Sequence, residues 1–394
     1  MKIAYFHYLY GEGTPLNHVR QLAQAVRELG HEVSIHAMNS PAAAPTNGHV
    51  PTARRSLKKR LSRYLHEPKE LLWNAPYVKR ELEILRAVRP DIAYVRSHTL
   101  TAAESIVRAV SGIPLVLEVN APACESTTYW DEYLHVPYAA HLTERMKLRR
   151  ADRIAVVSAA LRDHLVTTHR IDPDRFVVNH NGADCQRFRP DLDVTSVRHR
   201  YAPEGAPLVG FVSSFHPWHG VDLLQAVISR LAPAGVRFVT IGSGRLSGDF
   251  RTWLDASGHS ASVAALDSIA HSRVPLYVAA FDIALIAGAN FYVSPLKLFE
   301  YMAAGRAIVA PAHEPIREVL EDGTDALLFP PGDVQAAADR IRRLIDDPAL
   351  RAKLGRAARE KAVASYTWRH NAERTLTACR AALGAAEVPR RESP

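Results

Sequence analysis

The chain has 394 residues, with 49 basic against 41 acidic side chains for a net charge of +8, and is 47% hydrophobic and 23% charged. That length suits two α/β domains, and that composition excludes a disordered or fibrous protein; no run of about 20 apolar residues is present to cross a bilayer as a helix. Three cysteines, Cys124, Cys185 and Cys379, stand far apart without C-x-x-C spacing, which points to neither a disulfide framework nor a zinc site.

The first strand is expected at Lys2 to Tyr8, and this start is too short and too punctuated for a signal peptide, which predicts a cytoplasmic protein. A loop, Tyr10-Gly-Glu-Gly-Thr-Pro15, leads into a helix with Val19, Leu22, Ala23, Val26 and Leu29 at helical spacing, stopped by Gly30. Glu32 to Ala37 reads as the next strand and completes a βαβ unit. Arg54, Arg55, Lys58, Lys59, Arg60 and Arg63 then crowd around Leu57, Leu61 and Leu65. This basic amphipathic segment is either a contact for an anionic membrane surface or a solvated helix face on an inserted loop.

Further strands are expected at Asp91 to Arg96, Leu115 to Val119 and Arg153 to Val157, separated by helices. The pattern is doubly wound α/β. Polar, irregular sequence follows Phe188, and the strand–loop–helix–strand order restarts at Leu208 to Ser213, continuing through Val236 to Ile241 and Gly242-Ser-Gly244. The predicted organisation is a Rossmann-like domain over 1–190, a connection over 191–206, a second Rossmann-like domain over 207–365, a helix over 366–385 packing back across the junction, and a tail over 386–394. Two such domains facing across a cleft would place the carboxyl ends of both sheets around a ligand.

Ser294-Pro-Leu-Lys-Leu-Phe-Glu-Tyr-Met-Ala-Ala-Gly305 is the most informative stretch. Ser294 suits an N-cap and Pro295 the first helical position, which leaves the amides of Leu296 and Lys297 free at the helix start. The helix is apolar nearly all round and should be buried, yet it carries Lys297 and Glu300 three apart. A lysine beside a helix N-terminus suits phosphate, and a carboxylate one turn on suits sugar hydroxyls. The competing reading is a plain intrahelical salt bridge on a half-exposed edge. Asp191-Leu-Asp193 falls in the predicted connection, not after a strand within one sheet, so it is not read as a metal site, and no other His, Asp and Glu grouping has metal-ligand spacing.

These pieces, with Asn17-His-Val-Arg-Gln, Gly30-His-Glu-Val, Glu118-Val-Asn-Ala-Pro122, Ala151-Asp-Arg-Ile-Ala-Val-Val-Ser158, Asn179-His-Asn-Gly182, Phe215-His-Pro-Trp-His-Gly-Val-Asp222, Val274-Pro-Leu-Tyr and Pro330-Pro-Gly-Asp333, resemble the retaining glycosyltransferases of family four. The resemblance spans some 330 residues. It implies a GT-B fold, transfer of a sugar from a nucleotide-diphosphate sugar to a hydroxyl acceptor, and no cofactor or metal. The C-terminal half would hold the donor and the N-terminal half the acceptor. Lys297 and the amides after Ser294, including that of Leu296, would meet the diphosphate and Glu300 the ribose. Gly11 and Gly13 would let the first loop approach the same phosphates, and Gly242, at the end of the second strand of the second domain, is a further donor-side candidate. The arginine and lysine that many members carry after the first strand of the second domain correspond here to Ser214 and His219, and the first of two spaced glutamates to Tyr292. A frequent N-domain histidine corresponds to Asn120, and Glu118 two residues earlier is a second acceptor-side candidate, or else a structural carboxylate.

The acceptor class implied is a bacterial cell-surface glycan or lipid-linked saccharide, and the basic segment stays open between a contact with the inner face of the membrane and a solvated helix face. A nucleotide-sugar isomerase or phosphorylase of the same fold and a natural-product glycosyltransferase stay open beside this reading. A nucleic-acid partner is not expected, because no reading module or interleaved aromatic platform is visible.

Overall fold

The computed structural model describes residues 1–9, 14–38, 57–124 and 136–387. Gly11, Gly13, Arg54 and Arg55 lie outside the described residues. The chain divides into two compact units, Met1–Asn179 with Asn371–Pro394, and His180–His370.

The first unit holds β1 (Lys2–His7), β2 (Glu32–Ala37), β3 (Ile92–Arg96), β4 (Leu115–Val119), β5 (Arg153–Val156) and β6 (Phe176–Val178) in one parallel sheet of order β2-β1-β3-β4-β5-β6. Helices cover both faces of a parallel sheet, so its central strands need no polar alternation. Ile3, Ala4, Tyr5 and Phe6 are accordingly all buried, as are Leu115 to Val119. The Thr14–Glu28 helix buries Val19, Leu22, Ala23 and Val26, the apolar row read from the sequence. A helix over Leu57–Val88 runs through Pro68 and Pro76 and carries Lys58, Lys59, Arg60 and Arg63 in its first turns. The final helix, Trp368–Glu387, belongs to this unit from Asn371 onward: Asn179 Nδ2 donates to the Asn371 carbonyl at 3.2 Å and to Thr375 Oγ1 at 2.9 Å.

The second unit holds β7 (Leu208–Val212), β8 (Arg237–Ile241), β9 (Val263–Leu266), β10 (Ile283–Leu285), β11 (Ala307–Pro311) and β12 (Leu327–Phe329), parallel and in the order β12-β11-β10-β7-β8-β9. Alternate residues point to opposite faces. Leu208, Ala284, Ile308 and Ala310 therefore pack with the Leu296–Ala303 helix, while Val209, Phe211, Ile283, Leu285 and Val309 pack with the Val221–Leu231 and Val334–Asp346 helices. Leu298, Phe299 and Met302 are fully buried, and each contributes about 1.5 to 3 kcal/mol by leaving water. Gly210 has no room for a side chain, since a Cβ there would lie 2.0 Å from the Phe281 ring.

The units part between Asn179 and His180, earlier than the connection read from the sequence. The 191–206 stretch folds into the second unit, where its Thr195–Tyr201 helix and the following residue bury Val197 and Ala202 in the core. Irregular polar sequence marked the loops there but not the few apolar anchors between them. Between β7 and β10 the strand order reverses direction, which makes the carboxyl ends of these two strands the switch point where open α/β sheets bind ligands. Among the described residues, no helix is long and apolar enough to cross a membrane.

Candidate functional site

At that switch point stands the Leu296–Ala303 helix. Pro295 is its N-cap, with extended φ −74° and ψ 129°, and Leu296 is the first helical residue. The sequence reading placed the cap one residue early. Ser294 is instead fixed through its carbonyl, which accepts from Asn181 Nδ2 at 2.6 Å, so its hydroxyl makes no cap bond. The first-turn amides of Leu296 and Lys297 have no carbonyl to meet within the helix.

At this helix start Ser294 Oγ, Asn181 Oδ1 and Lys297 Nζ are buried and, among the described residues, have no hydrogen-bond partner. Buried polar groups in folded proteins are almost always paired, so such a cluster marks a place built for something other than the chain itself. Lys297 does not bond Glu300, which rules out the simple intrahelical salt bridge. Glu300 turns instead to His271, with Nε2 and Oε1 3.4 Å apart. Burial pushes the Lys297 ammonium down to about 7, with Glu300 only partly offsetting it. One turn on, the Tyr301 phenol oxygen accepts from the Val212 N–H at 2.9 Å, past the point where β10 ceases to pair with β7. This anchors the helix to the end of β7.

The loop after β7 supplies the opposite wall. Phe215 takes a left-handed φ of +47°, held by its buried ring against Phe211 and Phe250, and such strain persists only where packing enforces it. Ser214 is exposed. The His216 N–H donates to His219 Nδ1 at 3.3 Å, so the neutral ring carries its own proton on Nε2. Burial, then the charges of Lys297 and His216, push His219 down to about 2, so it is a neutral donor and not a cation. Gly242, at φ +128°, and Gly244 press against this loop: a Cβ on either would lie 1.8 Å from Ser213 O or 1.7 Å from Ser214 O. Only glycine lets the two loops touch.

In the first unit, Glu118 on β4 is buried and saturated. Tyr5 Oη donates to it at 2.5 Å, Asn120 Nδ2 at 2.6 Å, His18 Nε2 lies at 3.3 Å, and Arg96 makes a direct ion pair. Burial alone would raise this carboxyl, but Arg96 and His18 together with the hydrogen bonds hold it well below the usual range. A carboxylate so occupied orders its neighbours. Asn120, half-buried just past β4, has its amide N–H turned to Glu118.

Two family models match this chain: the Glycosyltransferase Family 4 model over residues 17–187 and the Glycosyl transferases group 1 model over residues 206–347. The chain belongs to glycosyltransferase family 4. Curated relatives of this family 4 chain include an alpha-D-kanosaminyltransferase of Streptomyces kanamyceticus, 23% identical over 66% of this chain and 69% of that one. A D-inositol 3-phosphate glycosyltransferase of Stackebrandtia nassauensis is 26% identical over 66% of this chain, which spans 60% of that enzyme's length. An alpha-maltose-1-phosphate synthase of Mycolicibacterium smegmatis is 26% identical over 72% and 77% of the two. Among solved structures, Anabaena HepE in complex with UDP aligns with TM-score 0.74 at 16% identity over 96% of this chain and all of that one. Sucrose-phosphate synthase from Thermosynechococcus elongatus aligns with TM-score 0.77 at 16% identity over 98% of this chain and all of that one. The fold is that of the GT-B glycosyltransferases.

Of the residues singled out in the sequence of this glycosyltransferase, the second unit brings Ser294, Leu296, Lys297 and Glu300 together on one helix start, and His219, Ser214 and Gly242 on two touching loops. Tyr292 is buried, its ring edge-on to Phe291 at 5.0 Å, so it fills the core and offers no side chain to a ligand. The turn beside it is held by Asn290 Oδ1, which accepts from the Val293 N–H at 3.1 Å. Sequence reasoning missed Asn181 as a member of the cluster and Arg96 as the counter-ion of Glu118. Arg96 did leave a signal: it is a charge closing an otherwise apolar strand.

Proposed function

We propose that this glycosyltransferase moves a sugar from a nucleoside-diphosphate sugar to a hydroxyl acceptor with retention of anomeric configuration. The observation that carries the reading is the buried Lys297 ammonium, without a hydrogen-bond partner among the described residues, beside helix-start amides at the switch point. Those donors suit the diphosphate, with His219 Nε2–H as a neutral addition, and Glu300 suits the ribose hydroxyls. HepE in its UDP complex is a protein of the same fold, which supports a nucleotide in this place.

In the proposed reaction, the bond from the anomeric carbon to the diphosphate oxygen breaks while the acceptor oxygen bonds to the same face of that carbon. The leaving phosphate oxygen takes the acceptor's proton. The residues then position two substrates and stabilise the charge that develops on the leaving group. With that charge met by Lys297, the helix amides and His219, the reaction needs neither cofactor nor divalent metal, and activity should persist in excess chelator.

The acceptor is proposed to be a saccharide or lipid-linked saccharide of the cell surface, met by the first unit near Asn120. The relatives' names also cover a kanosaminyl transfer and an inositol phosphate. Lys58, Lys59, Arg60 and Arg63 are proposed to hold the protein to anionic membrane, which pelleting with anionic vesicles tests. The deciding experiment is thermal stabilisation by UDP, GDP, ADP and dTDP and their sugar conjugates, on wild type and Lys297→Ala. Ligand at about 100 times Kd adds roughly 2.7 kcal/mol. A shift for one nucleotide that the variant loses supports the donor site; no shift for any of them overturns it. Consumption of the nucleotide sugar without a glycosylated acceptor would favour an isomerase or phosphorylase.

A further inference from the structure

The geometry points to a second ligand site in the His180–His370 unit, a pocket that takes one neutral saccharide ring. The pocket has a volume of about 240 Å3 and opens among the loops that follow β7, β10, β11 and β12. Trp218, Asp222, Gly288, Pro311 and His313 line it, and none of Lys297, Ser294, Asn181 or His219 does. It is therefore separate from the diphosphate site, and the inference does not depend on the transfer reaction proposed above.

Its walls are preset. The Trp218 indole stacks on His216 with ring centres 4.5 Å apart and planes within 2°, which fixes its orientation before any ligand arrives. Gly288 and Gly220 meet backbone to backbone: a Cβ on Gly288 would lie 2.6 Å from Gly220 N and 2.8 Å from Trp218 O. The lining thus brings the chain's own peptide groups to the pocket at a point where no side chain fits.

Its chemistry selects the ligand class. Among the described residues, the Asp222 carboxylate and the His313 imidazole have no hydrogen-bond partner. Burial lowers His313, so near neutral pH it offers one donor and one acceptor. No lysine or arginine lines the pocket and one carboxylate does, which turns away phosphates and other anions. What remains is a ligand with several hydroxyl donors and an apolar face for the indole and proline surfaces, the description of a pyranose. The volume of about 240 Å3 lies below the roughly 300 to 1,000 Å3 usual for drug-sized ligands, which suits a single ring.

The test is saturation-transfer NMR on the full chain with glucose, galactose, N-acetylglucosamine and maltose, each with and without saturating UDP. Tetramethylammonium serves as the cationic control. The expected result is transfer to at least one sugar that survives UDP and weakens ten-fold or more in Asp222→Asn and in His313→Ala, while both variants keep the wild-type thermal response to nucleotides. The proposal is overturned if no sugar shows transfer, if UDP abolishes it, if both variants leave it intact, or if only the ammonium ion binds. Should Asp222→Asn fail to fold, His313→Ala alone decides. Loss of the nucleotide response in wild type bears on the donor site and leaves this outcome readable.

Discussion

Lys297 Nζ lies 5.2 Å from the centre of the Phe211 ring and, among the described residues, donates no hydrogen bond. An aromatic face offers a desolvated ammonium about 2 kcal/mol, while removing that charge from water costs several. The balance is unfavourable to the cation, which is why its pKa falls to about 7. The residue is held ready for an anion at the expense of the empty protein.

Substitution should therefore separate stability from function. Lys297→Met keeps the apolar stem and deletes the unpaired amine, so at pH 6 the ligand-free variant should melt about 2 to 4 °C higher for each kcal/mol relieved. Its transfer rate should fall by about 10²- to 10³-fold, the usual loss when one preorganised donor is removed. Calorimetry and a product assay check both; a variant that keeps its nucleotide response would remove Lys297 from the site.

The same shift sets a pH dependence. The folded pKa of about 7 lies below the unfolded value, so between them the unfolded chain binds more protons and this group's contribution to stability rises with pH, the penalty being complete below 7. Ligand binding reverses the effect, because a diphosphate favours the charged lysine. Above pH 7 nucleoside diphosphate should bind with uptake of a proton and with affinity falling as pH rises. Titration calorimetry at pH 8 in buffers of different ionisation enthalpy reads the uptake directly as the slope of observed heat against ionisation enthalpy, and the same observed heat in every buffer would contradict it.

Glu118 should behave as a structural hub. Glu118→Ala strands Arg96 as a buried unpaired charge and should cost about 3 to 5 kcal/mol, whereas Asn120→Ala should cost far less. Because the folded carboxyl is depressed, its stabilisation is present above the unfolded pKa of about 4.3 and is lost as pH falls below it. Denaturant midpoints at pH 7 and pH 3 check this; the gap between wild type and Glu118→Ala should narrow at the lower pH.

Gly242→Ala should be disruptive although it adds one methyl. A Cβ 1.8 Å from Ser213 O forces one of two touching loops to move, and φ of +128° is strained for alanine. The expected cost is more than about 2 kcal/mol, with nucleotide stabilisation reduced in parallel. A midpoint within experimental error of wild type would show that the loops are not in close contact.

Ser214 is exposed on the loop facing the same chemistry, so an arginine there meets no steric barrier. Ser214→Arg should tighten nucleoside diphosphate binding by about 1 kcal/mol, roughly five-fold, with the gain shrinking at high salt. Binding isotherms at two ionic strengths settle it.

Much of this was legible in the linear sequence. Period-two and period-3.6 spacing is local, so β1 to β5, β7 and β8 and the helices between them could be read from neighbours a few residues apart. Short strands such as β6, β10 and β12, each three residues long, carry too few positions for a pattern and are defined by the strands beside them. The apolar helix with two misplaced charges at Lys297 and Glu300 was likewise a local signal, and it marked the site.

By itself, the sequence determined the α/β class, the repeat of the architecture and the helix proposed to meet the donor, because each depends on residues within one or two turns of each other. Only the tertiary structure decided that Lys297 has no hydrogen-bond partner among the described residues, that Glu118 is spoken for by Tyr5, His18, Arg96 and Asn120, and that Asn181 joins Ser294 at the helix start. Hydrogen bonding and desolvation at these sites depend on groups far apart in the chain, 113 positions between Asn181 and Ser294 and again between Tyr5 and Glu118, and no local pattern encodes who meets whom.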